Sequence, residues 1–123
     1  MSHIGPANMT TKELVDLFAE IGIAQSQALL RGENAKFSQL YWRMDDVSNE
    51  LKRRDGDQRR NLIALYNHPN VHVRLNAAKR TLAVAPVEAR NQLQAIVDSR
   101  RFPQAGDAGM CLDNLESGFF KPK

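Results

Sequence analysis

The chain has 123 residues, 42% hydrophobic and 25% charged, with one cysteine and a formal net charge of +3. That length suits one domain able to bury roughly two-thirds of its unfolded surface without staples. No apolar run approaches the ~18 residues that span a bilayer, and the first residues lack the pattern of a secretion signal. The lone Cys111 excludes an internal disulfide, so a cytoplasmic location is the default.

Residues 1–9, with Gly5 and Pro6, show no periodicity and read as a mobile start, a cloning remnant, or a stretch ahead of an alternative start at Met9. Residues 10–123 read as one helical domain. Thr10 and Glu13 form a capping-box pattern, and Leu14, Leu17, Phe18, Ile21, Ala24 and Ala28 follow at helical spacing. Gly32 supplies the left-handed residue that ends this first helix. Gly22, inside it, suggests a close helix contact. A second helix starts near Asn34, with the stripe Phe37, Leu40, Tyr41, Met44, Val47 and Leu51, and so short a connection predicts an antiparallel hairpin.

The second helix ends in the charged stretch Lys52 to Asp57. Asp57 is the expected N-cap of a short third helix carrying Leu62, Ile63, Leu65 and Tyr66, which stops before Pro69. Asn70 is expected to cap a fourth helix reaching about Ala85. Its apolar residues, among them Val73, Leu75, Ala77, Ala78 and Leu82, cover a wide arc, as in an inner helix packed on several sides. Pro86 suits the first turn of a fifth helix with the stripe Ala89, Leu93, Ile96 and Val97. Phe102, Pro103 and Gly106 make a break, Asp107 is expected to cap a sixth helix, and Gly118 ends it before the tail Phe119 to Lys123. No segment alternates with the period of a strand.

The segment from Leu62 to Leu82, with His68-Pro69-Asn70, Val73-Arg74 and Ala77-Ala78, resembles a HEAT repeat. A weaker echo lies about 31 residues on, where Leu93, Ile96, Val97 and Asp98 answer Leu62, Leu65, Tyr66 and Asn67. The chain from about 10 to 122 also resembles a bacterial family known as domain of unknown function 2019, through Gly56 to Arg60, the HEAT-like segment, Leu82 to Pro86, and Pro103 to Leu112. These resemblances imply an all-α fold: an α-α superhelix of about six helices stacked as antiparallel hairpins, with Arg74, Ala77 and Ala78 in structural roles. They imply no activity.

No residue set stands out as catalytic, and no cofactor or metal site is expected. Cys111 lies on an apolar stripe and reads as a core cysteine. His68 and His72 have metal-ligand spacing, but Pro69 breaks the helix between them, so they read as turn and surface histidines. Asp45, Asp46 and Glu50 read as a solvated helix face, with Glu50 placed to pair with Arg54. Gly106 to Gly109 lacks the strand and lysine of a phosphate loop.

Two surfaces remain. Trp42 lies off the stripe of the second helix, either as an interaction anchor or as a second packing face against the last helix or the Phe119-Phe120 tail. The basic residues Arg53, Arg54, Arg59, Arg60, Lys79, Arg80, Arg100 and Arg101 could follow a phosphate backbone if their turns share one edge. Residues 1–51 carry four basic side chains against seven acidic, and residues 52–123 thirteen against seven. The leading expectation is a non-catalytic interaction module or regulatory adaptor, for example a toxin-neutralising one, binding another protein or itself, with Trp42, Phe119 and Phe120 as candidates. The alternative is nucleic-acid binding by the basic second half. A small-ligand cleft between hairpins ranks third. No membrane or metal partner is expected.

Overall fold

In the computed structural model, which describes residues 5–123, Thr10 opens the first helix with a reciprocal cap. Its Oγ1 accepts from the Glu13 N–H at 3.1 Å, and Glu13 Oε1 accepts from the Thr10 N–H at 2.9 Å. This helix, α1, runs Thr11–Arg31 and ends at Gly32, whose φ of 68° is the left-handed conformation glycine adopts without strain. Glu33 leads directly into α2, Asn34–Arg53. The two-residue connection folds α2 back on α1. Leu14, Phe18 and Ile21 from α1 and Met44, Val47 and Leu51 from α2 are buried.

The chain then forms two compact units, one ending at Asn61 and the other running Leu62–Lys123. The first holds α1, α2 and residues 5–9. The first four residues of the expected mobile start lie outside the described ones. Pro6–Asn8 is a short 3₁₀ turn, and the Arg54 guanidinium donates to the carbonyls of Pro6 and Met9.

The expected third helix is a ten-residue 3₁₀ segment, Gln58–Asn67. The spacing of its apolar residues accommodates this winding. Leu62 and Leu65, like Ile63 and Tyr66, are three apart, and a 3₁₀ turn stacks residues i and i+3. Asp57 precedes it at a φ of 52° and accepts from the Arg59 N–H at 3.3 Å.

In the second unit, Asn70 caps α3, Val71–Thr81, by accepting from the N–H groups of His72 and Val73 at 2.8 and 3.3 Å. α3 is shorter than expected. A turn at residues 82–84 follows it, and Ala85, ahead of Pro86, is pushed to non-helical geometry with φ −145° and ψ 64°. α4 is Pro86–Ser99 and α5 is Gln104–Ser117. α5 starts three residues before Asp107, which therefore sits in its first turn rather than at its cap. α3 packs on α4 and α5, and α4 packs on α5. Leu75, Ala78, Leu93, Ile96, Ala108 and Leu115 belong to their shared core.

The described residues contain no strand and no helix long and apolar enough to cross a membrane. Ala77 and Ala78 are both fully buried on α3. Leucine at either site has no room to enter a close-packed core. Ala77→Leu and Ala78→Leu are each expected to destabilise the protein by about 1–3 kcal/mol. Denaturant titration checks this, and a neutral result at both sites would argue against close helix contact.

Candidate functional site

Trp42 stands two residues before the buried Met44, so it projects about 160° away from it around α2. The indole is 64% exposed. Tyr41, 44% exposed, meets it edge to face, with ring centroids 5.2 Å apart. Such a pairing limits the motion of both rings while leaving their outer faces to solvent. Asp46 and Asn49 follow on the same outward face, and with Arg53 and residues 5–7 they line a shallow depression of about 270 Å³. The same half of the hairpin exposes Leu30 at the end of α1, at 88%, and Leu29 and Ile23 less fully. Of the tail aromatics, Phe119 is 84% and Phe120 42% exposed.

The basic candidates are mostly committed inside the protein. Arg54 donates to Glu50 at 2.9 Å and to Thr11 Oγ1 at 3.3 Å, besides the two carbonyls. Arg53 donates to the other Glu50 oxygen at 2.8 Å, although its own side chain remains largely exposed. Arg59 grips Asp57 with two hydrogen bonds, at 2.6 and 2.8 Å. Lys79 pairs with Asp107 at 2.9 Å. Arg60 and Arg80 also engage other groups of the protein. Arg100 and Arg101 have no side-chain ion pair among the described residues.

Two readings from the sequence need correction. Glu50 does not lie on a solvated face: it is 8% exposed. The Arg53 and then the Arg54 hydrogen bonds hold its carboxyl below the usual carboxylate range. His72 is not a surface histidine either, being 5% exposed. The start of α5 packs beside the start of α3, and Gln104 Nε2 donates to His72 Nδ1 at 3.3 Å. Burial pushes the imidazole down to about 4, against the raising pull of Asp107 and with Lys79 lowering it further. No spacing rule in the sequence announces either burial, because both depend on which helix lies opposite.

The other candidates fall as follows. Arg74 donates to the His68 carbonyl at 2.7 Å, tying the first turn of α3 to the preceding loop. Cys111 is buried in the α3–α5 core, and burial raises its thiol pKa. Asp45 and Asp46 do not converge, and Asn49 donates to Asp45 at 3.3 Å. Among the described residues no group of three or more His, Cys, Asp or Glu is placed to hold a metal ion. Phe102, read from the sequence only as part of a break, is 72% exposed between Arg101 and Pro103. An aromatic in a polar turn was the available signal.

Residues 12–116 match the model of the family described as "Domain of unknown function (DUF2019)". The crystal structure of the protein RPA1889 from Rhodopseudomonas palustris CGA009 is similar to this chain, with 55% identity and a TM-score of 0.95. The match covers 98% of this chain and 100% of that one. No curated protein matches.

The buried thiol and imidazole have measurable consequences. Cys111 is expected to react slowly with a thiol reagent in the folded protein and quickly once denatured. Fast labelling of the native state would place the thiol in an accessible, activated setting. For His72 the folded pKa of about 4 lies below the ordinary 6.5, so the unfolded chain binds the extra proton. Stability is therefore complete above about pH 6.5, falls as the pH drops toward 4, and loses up to about 3 kcal/mol in all. His72→Gln should flatten that window in denaturant titrations at several pH values. An unchanged slope would assign the acid sensitivity to other groups.

Proposed function

The chain belongs to the DUF2019 family, and we propose that it is a non-catalytic protein-interaction module with Trp42 as an anchor. The observation that carries this reading is an indole 64% exposed on the outward face of α2, steadied edge-on by Tyr41. An aromatic pair of this kind buries a large apolar area on binding and loses little rotamer freedom, which is why tryptophan and tyrosine recur as binding hot spots. Asp46, one turn on from Trp42, lines a depression on the same unit, and Leu30 is a further exposed apolar side chain of that unit.

A HEAT-like character for the second unit is part of the same proposal. It is supported by the Asn70 cap, by the Arg74 bond to the His68 carbonyl, and by the buried pair Ala77-Ala78 at the helix contact. Repeat hairpins of that type serve as binding surfaces far more often than as catalysts. A cytoplasmic location goes with this reading. Nucleic-acid binding by the basic turns is disfavoured, because Arg54, Arg59 and Lys79 already neutralise Glu50, Asp57 and Asp107.

Trp42→Ala is expected to change stability by no more than about 0.5 kcal/mol, as surface substitutions do. It should at the same time weaken self-association or capture of a native partner, measured by sedimentation and pull-down. A loss of about 3–5 kcal/mol would mark Trp42 as core instead. Unaltered association at unaltered stability would remove the anchor.

A further inference from the structure

Trp42, Asp46, Asn49 and Arg53 are all exposed on α2, at spacings of four, three and four residues. At about 100° per residue they fall within an arc of about 60°, opposite the buried Met44 and Leu51. Such a spacing is the seam along which two helices lie side by side. The groups on it have bonding capacity to spare. Arg53 gives one N–H to Glu50 at 2.8 Å, and its side chain remains 67% exposed. Asn49 gives one amide N–H to Asp45 at 3.3 Å and holds a second donor. Among the described residues the Asp46 carboxylate has no ion pair.

The order of these residues is symmetric. Trp42 and Arg53 stand equally far from the Val47–Ser48 bond, and so do Asp46 and Asn49. A two-fold axis perpendicular to α2 at that bond lays the helix of a second copy antiparallel on the first. Each Trp42 then meets the partner's Arg53, and each Asp46 meets the partner's Asn49. Both encounters are attractive. Arginine and tryptophan are favoured partners in cation–π contacts, and a carboxylate accepting from an amide N–H makes a charge-assisted hydrogen bond. On one flank of the stripe, Asp45 and Lys52 stand seven residues apart, and the same axis brings each Asp45 beside the partner's Lys52. Pro6 lines the same depression as Arg53, so an indole arriving on Arg53 also meets an apolar wall. A parallel arrangement would set Asp46 against Asp46 and Arg53 against Arg53, which like-charge repulsion opposes.

We propose that this face of α2 is the contact of a two-fold dimer, its occupant being a second copy of the chain. This deepens the interaction-module reading and rests on it, by naming the partner that Trp42 anchors. A contact made chiefly by one helix face is small, so the pair is weak and reversible.

The test is sedimentation equilibrium of the purified full chain over a range of concentrations, with the emission of Trp42, the one tryptophan, followed in parallel. The expected result is a monomer–dimer equilibrium in which the emission shifts to the blue as the dimer forms. Trp42→Ala and Arg53→Gln should each weaken the dimer by about tenfold or more. Asn49→Asp sets two carboxylates against each other twice per dimer and should weaken it by a similar factor. Adding Asp46→Lys to that variant turns each repulsion into an ion pair and should restore the dimer. Val87→Ser, at an exposed position on α4, should leave the dimer unchanged. A chain that stays monomeric to its highest soluble concentration, a dimer indifferent to Asn49→Asp, or a failure of Asp46→Lys to rescue that variant would overturn the pairing. If the chain is monomeric while Trp42→Ala still abolishes capture of a different protein, the dimer falls and the broader reading stands. If Trp42→Ala affects neither, both fall.

Discussion

Arg54 donates to acceptors from two separate stretches of chain: Glu50 on its own helix, and residues 6–11 through Thr11 Oγ1 and the carbonyls of Pro6 and Met9. The first unit depends on this convergence. The end of α2 is fixed to the beginning of α1, closing the hairpin at the end opposite the Gly32 turn. Residues 5–9 are fixed at the same time, and residues 5–7 form one wall of the depression lined also by Asp46, Asn49 and Arg53. Glu50 accepts from both Arg53 and Arg54, which is what allows a carboxylate to sit at 8% exposure without an orphaned charge. A cation that looks from the sequence like a surface contact for phosphate is in fact a structural tie.

The local signals were legible. Thr10 with Glu13, Gly32, Asn70, Pro86 and Gly118 each act through groups within four residues of themselves, so the chain announces them directly. The all-helical fold and the buried stripes follow from periodicity for the same reason. The 3₁₀ winding of Gln58–Asn67 was less visible, since a spacing of three suits either helix type. What the sequence withheld depends on partners far along the chain. His72 is buried because Gln104 lies opposite it, 32 residues on. Asp107, in the first turn of α5, pairs with Lys79, 28 residues back.

The candidate surfaces divide along the same line. Trp42 was visible because its displacement from the α2 stripe is a property of one helix. The commitment of Arg54 and Lys79 was not, because it requires residues 6–11 to meet the end of α2 and Asp107 to meet α3. Of the basic candidates, Arg53, Arg54, Arg59 and Lys79 pair with acids of their own unit.

The burial of Cys111 gives the molecule a chemical blank. With its one thiol shut inside the α3–α5 core, every surface position is silent toward maleimides and disulfide-forming reagents. A single cysteine introduced on α2 or in the turn at residues 100–103 would then be the sole fast-reacting site. It could carry a spin label, a dye or a crosslinker without removal of the native residue. The core that withholds the thiol thereby makes the outer faces individually addressable, and a partner could be trapped covalently at a chosen position.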